Sequence, residues 1–256
     1  DTSERGITYL ATIQPDGTGK VRLTPGYNQI VFPRYCPESG WIGFTNKLPD
    51  MSSEVYLLSR DGKKLRKILE NATLEDFSPD GKFLLYTTCD QKAEMMAYSI
   101  ESKTSTKLSG DLKVTAANYS STGNWIVVSA LTDKGTSDLW KISPRALGTV
   151  RLTDTPDISE SFPVFTQDEK YVVMLTNRHG STEIEYLDLE GRVYQRPQVL
   201  GLYPSLSPSG KWIAYEMAGN VDITRADGLN GFRLTQGTTP YWMSDDRPAK
   251  TDKPKK

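Results

Sequence analysis

Residues equipped for chemistry are few in this chain: one histidine, His179, and two cysteines, Cys36 and Cys89, among 256 residues. A Ser/His/Asp or Cys/His nucleophile needs a base poised near neutral pH, in most versions an imidazole. His179 lies in Asn177-Arg178-His179-Gly180, a connection between two strand-like runs, and reads as an exposed loop residue without a catalytic role. A zinc site of ordinary composition would need more histidine or cysteine than is present. Asp16, Asp61, Asp80 and Asp227 each precede a glycine, and such pairs could offer calcium oxygens. Asp-Gly is also what a tight strand-to-strand turn demands, and no EF-hand-like run accompanies the pairs. With no Gly-rich phosphate loop and no G-x-S-x-G elbow, the expectation is no catalytic, cofactor-binding or metal-binding residue.

Charge points the same way. The 31 Lys and Arg against 32 Asp and Glu give no global field for nucleic acid or an anionic membrane. No apolar run reaches spanning length, so no transmembrane segment is expected, and the start at Asp1 is expected to be that of a processed or cytosolic chain.

The elements that must position any site are set by a repeated phrase. Phe77-Ser78-Pro79-Asp80-Gly81-Lys82-Phe83-Leu84-Leu85-Tyr86-Thr87 has copies beginning at Tyr35, Tyr119, Phe165 and Leu206, with a truncated sixth at Trp242. A period of roughly 42 residues with strand-like segments inside each copy indicates a ring of small sheets. In the copy near Leu74, residues 74 to 78 read as a first strand and Pro79-Asp80-Gly81-Lys82 as a turn. Phe83 to Thr88 reads as a buried second strand, Glu94 to Ile100 as a third and Ser105 to Leu108 as a fourth.

Counting the copies predicts an all-β, six-bladed β-propeller of four-stranded antiparallel blades, with Phe77, Tyr119 and Phe165 equivalent and buried. The last blade would be closed by both termini, leaving no exposed edge. Residues 1 to 246 would form this single domain, with residues 243 to 249 the candidates for a missing strand and 247 to 256 a disordered basic tail. Trp41, Trp125, Tyr171 and Trp212 share the Phe83 position and are expected to pack between blades. Cys36 falls at a hairpin turn and Cys89 beyond the end of a second strand, on opposite faces, so two free thiols are expected.

Leu152-Thr153, Pro163, Phe165, Tyr171 to Thr176, Asn177-Arg178-His179-Gly180, Glu183-Ile184 and Leu187-Asp188-Leu189-Glu190-Gly191 together resemble the TolB-like, WD-related propeller repeat. The resemblance covers roughly residues 6 to 245. It implies a non-enzymatic, protein-binding scaffold of a bacterial cell-envelope assembly, periplasmic or secreted. Mature TolB carries an α/β domain ahead of its propeller, and nothing in this sequence corresponds to it. Two other readings stay open: a carbohydrate or small-ligand propeller using the central channel, and a propeller domain of a larger enzyme.

Recognition would then be built on loops. First-to-second and third-to-fourth connections share one face and are alike; the connections on the other face vary in length and charge. That variable face carries Tyr27, Leu48 and Met51 as apolar residues among polar ones, with Asp133, Lys134 and Arg178 as charged neighbours. An envelope protein or peptide is the partner expected there. Phe32, Phe162 and Tyr203, each three positions before an anchor, would line or seal the channel mouth.

Overall fold

The computed structural model describes residues 7 to 145 and 148 to 243. Five four-stranded antiparallel sheets follow one another in chain order. The short strands β1 (Ala11–Thr12) and β2 (Val21–Arg22) pair separately. Blade 1 contains β3 (Gln29–Cys36), β4 (Trp41–Lys47), β5 (Ser53–Ser59) and β6 (Leu65–Glu70). Blade 2 contains β7 (Ala72–Phe77), β8 (Phe83–Thr88), β9 (Met95–Ser99) and β10 (Ser105–Lys107). Blade 3 is formed by β11 (Val114–Tyr119), β12 (Ile126–Leu131), β13 (Ser137–Ile142) and β14 (Thr149–Arg151). In blade 4 stand β15 (Glu160–Phe165), β16 (Tyr171–Thr176), β17 (Glu183–Asp188) and β18 (Val193–Leu200). Blade 5 ends the series with β19 (Leu202–Leu206), β20 (Trp212–Met217), β21 (Asn220–Arg225) and β22 (Phe232–Gln236).

Five blades replace the six expected. The sixth anchor copy, Thr239-Pro240-Tyr241-Trp242, adds no ladder among the described residues, and the β1–β2 ladder has two residue pairs. No second strand is described between them, so the hydrogen-bonding edges that would join four strands never meet. The β1–β2 unit still stands between blades 5 and 1. Its Asp16-Gly17 turn lies against the Leu234 carbonyl, and the Asp61-Gly62 turn of blade 1 lies against the Leu23 carbonyl. Residues 243 to 249, proposed for the missing strand, lie outside the described residues apart from Met243, as does the tail from 247 to 256.

Within the blades the pattern follows alternation. Second strands are the most buried, as in Tyr171–Thr176 and Trp41–Lys47, because both their faces meet neighbouring sheets. The apolar clusters sit between blades: Leu74, Phe77 and Leu84 of blade 2 pack with Val55 and Leu57 of blade 1, and Phe165, Val172 and Met174 of blade 4 pack with Val127 and Leu139 of blade 3. Phe77 and Phe165 are buried as predicted, and Tyr119 is half-buried. Trp41, Trp125, Tyr171 and Trp212 are half-buried, whereas Phe83 is exposed.

Turns on the face shared by first-to-second and third-to-fourth connections use glycine where backbone approaches backbone. Gly191 has a left-handed φ of 81°, and a Cβ there would lie 1.9 Å from the Leu152 carbonyl oxygen of the preceding blade. Only glycine satisfies both constraints. Cys36 is buried near this face and Cys89 is exposed beyond β8; both are free.

Candidate functional site

The first strands line the centre of the ring, and four places there share one local device. Phe32, Phe162, Tyr203 and Thr239 each precede a proline and have φ between 44° and 53°. Proline removes one ladder donor, and the ladder register shifts there in three of the strands, between Val31 and Arg34, Ser161 and Val164, and Leu202 and Ser205. The bulge turns the three aromatic rings toward one another: centroids lie 5.9 Å apart for Phe32 and Phe162, 5.7 Å for Phe32 and Tyr203, and 4.9 Å for Phe162 and Tyr203. Edge-on contacts of this kind are favourable.

A cavity of about 350 Å³ reaches from this trio toward the turn face, where Pro37, Pro79, Ser121, Gln167 and Pro208 line it. Its side wall carries Arg34, Asp76, Asn118, Tyr241 and Trp242. Arg34 Nε donates to the Glu75 carbonyl at 2.5 Å and Nη1 to the Pro33 carbonyl at 3.0 Å, while its guanidinium lies 5.4 Å from the Tyr241 ring centre. The Asp76 carboxylate accepts the Tyr119 N–H at 2.9 Å; Glu75, just behind, accepts from Thr87 Oγ1 at 2.8 Å and from the Ala117 N–H at 3.2 Å. Burial pushes Glu75 up to about 7 and Asp76 up to about 6, against the opposing pull of Arg34. These bonds also tie β7 to β11, two first strands that share no ladder.

On the variable-loop face, Tyr27 is half-buried, with its ring centre 5.6 Å from that of Phe44 and 5.7 Å from that of Tyr56. Its backbone exchanges hydrogen bonds with Thr8 at 2.8 and 2.9 Å. Leu48 is half-buried, and Met51 is 89% exposed. The turn that presents Met51 is bonded from within: Leu48 N–H donates to the Ser52 carbonyl at 2.9 Å and Met51 N–H to the Leu48 carbonyl at 3.0 Å. Asp50 accepts from the Ser52 N–H and hydroxyl, and these bonds hold its carboxyl below the usual range. Asp133 and Lys134 are exposed on the Thr132–Thr136 turn.

Arg178 is half-buried and belongs to an ionic cluster between blades 3 and 4. Its Nη2 donates to Glu160 at 3.0 Å, and its Nε lies 3.6 Å from Glu185. His179 is exposed as expected, but its Nε2 stands 2.9 Å from Glu185, a fully buried carboxylate. Nearby, the buried Asp138 takes the Arg151 guanidinium and the Thr155 hydroxyl, which also reaches Glu160 at 2.7 Å. Burial raises the Glu160 carboxyl despite Arg178.

The structure thus brings Phe162 and Tyr203 together with Phe32, and Arg178 with His179. Tyr27, Leu48 and Met51 stand on connections flanking blade 1, while Asp133 and Lys134 stand on a turn of blade 3. Sequence reasoning missed Arg34, Glu75, Asp76, Tyr241 and Trp242. A signal existed in Leu74-Glu75-Asp76-Phe77, where two acids stand side by side in a first strand and Glu75 takes a place that the other copies fill with Pro33, Ala117, Pro163 and Pro204.

No family model matches the sequence, and no curated protein matches it. Solved structures do match the fold. TolB from Acinetobacter baumannii aligns with a TM-score of 0.77 at 19% identity over 92% of this chain and 66% of that one. A putative TolB from Agrobacterium tumefaciens aligns with 0.73 at 17% identity over 90% of this chain and 91% of that one. The tricorn protease aligns with 0.67 at 14% identity over 93% of this chain but 24% of its own length. The structural relatives are TolB-like β-propellers together with propeller-bearing peptidases. No helix among the described residues is long and apolar enough to cross a membrane.

Proposed function

We propose that this propeller is a non-enzymatic protein-binding scaffold of a bacterial cell-envelope assembly, periplasmic or secreted, which holds an envelope protein or peptide on its variable-loop face. The observation that carries the reading is Met51, 89% exposed at the tip of an internally bonded turn. A large apolar side chain displayed on a pre-ordered loop, beside Leu48 and within a polar surround, has the make-up of an interface anchor with its rim. The likeness to TolB structures supports the envelope setting. Leu48, Tyr27, Asp133, Lys134 and Arg178 would complete the surface. The test is site-specific photocrosslinking from position 51 and from positions 61 and 190 on the turn face, in native membranes, followed by affinity measurement with the captured protein. The reading expects an adduct from position 51 alone and weaker binding by Met51→Ala. Adducts only from positions 61 and 190 would invert the face.

A second reading, a propeller domain serving a catalytic unit, is favoured by the tricorn protease and puromycin hydrolase matches. It expects the captured partner, or a segment of the same polypeptide, to be a hydrolase.

A further inference from the structure

The cavity lies on the face away from Met51 and has its own chemistry, independent of the loop-face reading. It is a cup. The first and fourth blades stand on opposite sides of the ring, yet Phe32 and Phe162 touch, and Tyr203 closes the gap beside them. The cup's bottom is therefore apolar and aromatic.

Two acceptors of its wall are engaged: Asp76 takes the Tyr119 N–H, and Ser205 Oγ takes the Trp242 backbone N–H at 3.2 Å. Two donors are left over. Trp242 Nε1–H is buried with no partner, and Arg34 commits Nε and Nη1 to carbonyls while Nη2 makes no hydrogen bond among the described residues. A buried donor without a partner is costly, so the wall favours a guest that supplies acceptors. A guanidinium edge prefers them charged and planar. At about 350 Å³ the cup is at the small end of ligand sites, which run from roughly 300 to 1,000 Å³. It has room for a small molecule or the last residue or two of a peptide.

We propose that this cup binds a carboxylate joined to an apolar or aromatic body, the carboxylate meeting Arg34 and the Trp242 indole and the body resting on Phe32, Phe162 and Tyr203. Free acids and the carboxyl end of a peptide share this chemistry. N-acetyl-phenylalanine and acetyl-Ala-Ala-Phe separate the two sources, each compared with its C-terminal amide.

The experiment titrates the whole chain with these four compounds, following heat of binding and the indole N–H resonances, with Trp242→Phe assigning the Trp242 signal. Saturable binding of an acid that moves the Trp242 resonance, at least tenfold tighter than its amide, supports the proposal. Arg34→Gln and Trp242→Phe should each weaken that binding about tenfold. Arg34 also holds two carbonyls, so melting temperature is checked for each variant. Trp242→Phe keeps an aromatic ring while removing the donor and part of the indole's volume, and with its melting temperature checked it carries the test if Arg34→Gln does not fold. The proposal is overturned if neither acid moves the Trp242 resonance up to about 10 mM, an affinity weaker than roughly 3 kcal/mol. Amides that bind as well as acids, or a folded Trp242→Phe that binds like the parent, would overturn it too. None of these outcomes bears on Met51.

Discussion

Phe32 and Phe162 are separated by about half the chain and belong to opposite blades, yet their ring centres lie 5.9 Å apart. Each ring sits at a left-handed residue before proline, so backbone strain is spent to aim it inward. Phe162→Ala should lower stability by about 2 kcal/mol, less than a fully buried phenylalanine would, and Tyr203→Phe should leave it within about 0.5 kcal/mol. Chemical denaturation of both variants measures this. Equal losses would mean that the hydroxyl of Tyr203, not ring packing, holds the seal.

Stability should depend on pH in a direction set by Glu75 and Asp76. Both are raised in the folded protein, to about 7 and about 6, because burial disfavours their charged forms. Between the ordinary carboxylate range and these values the folded chain binds protons that the unfolded chain has released, so stability falls as pH rises from about 5 to about 7 and levels off above that. The charged and titratable groups around them are Arg34, Tyr119 and Tyr241. Turn carboxylates such as Asp80 and Asp168 are lowered by their hydrogen bonds and cause the opposite loss below about pH 4. Melting temperature is expected to peak near pH 5, and Glu75→Gln with Asp76→Asn should flatten the alkaline side.

Met51 has φ of 68°, a conformation that glycine adopts without strain. Met51→Gly should hold or raise stability by up to about 1 kcal/mol, while weakening partner affinity by more than about 1 kcal/mol if the side chain is an anchor. Tyr27→Ala removes a ring packed on Phe44 and Tyr56 and should cost stability as well as binding. Only the methionine variant isolates recognition.

His179→Ala should cost on the order of 1 kcal/mol, more than an ordinary loop change, because it removes the 2.9 Å contact to the buried Glu185 carboxylate. Thermal unfolding with His179→Gln as the conservative comparison checks this. A silent alanine variant would show that Glu185 is held by its other contacts without the imidazole.

The two thiols should react at different rates. Cys89 is exposed and Cys36 is buried against the Gly81 turn, so native protein should titrate one fast thiol and denatured protein two.

The repeat made the blades legible because each copy carries its own turn chemistry. Phe83–Thr88 was read to the residue, and Ser105–Lys107 to within one. The sixth blade was misread because the Trp242 anchor promised a sheet whose second strand has no copy in the sequence. The aromatic seal could be foreseen from Phe32, Phe162 and Tyr203 sharing one repeat position. The ionic groupings could not. Arg34, Asp76 and Trp242 come from three separate copies, and Glu160, Arg178, Glu185 and Asp138 from two, so their meeting depends on how blades turn against one another, which no local pattern encodes.

A passage sealed at one end has a single doorway. With Phe32, Phe162 and Tyr203 in contact across it, a guest that enters past Pro79 and Gln167 meets a wall of rings and leaves by the way it came. Occupancy of the interior is therefore governed by traffic at the turn face: a lid settling there would trap a guest already inside and bar one arriving later. The order of arrival then becomes part of what the molecule can report.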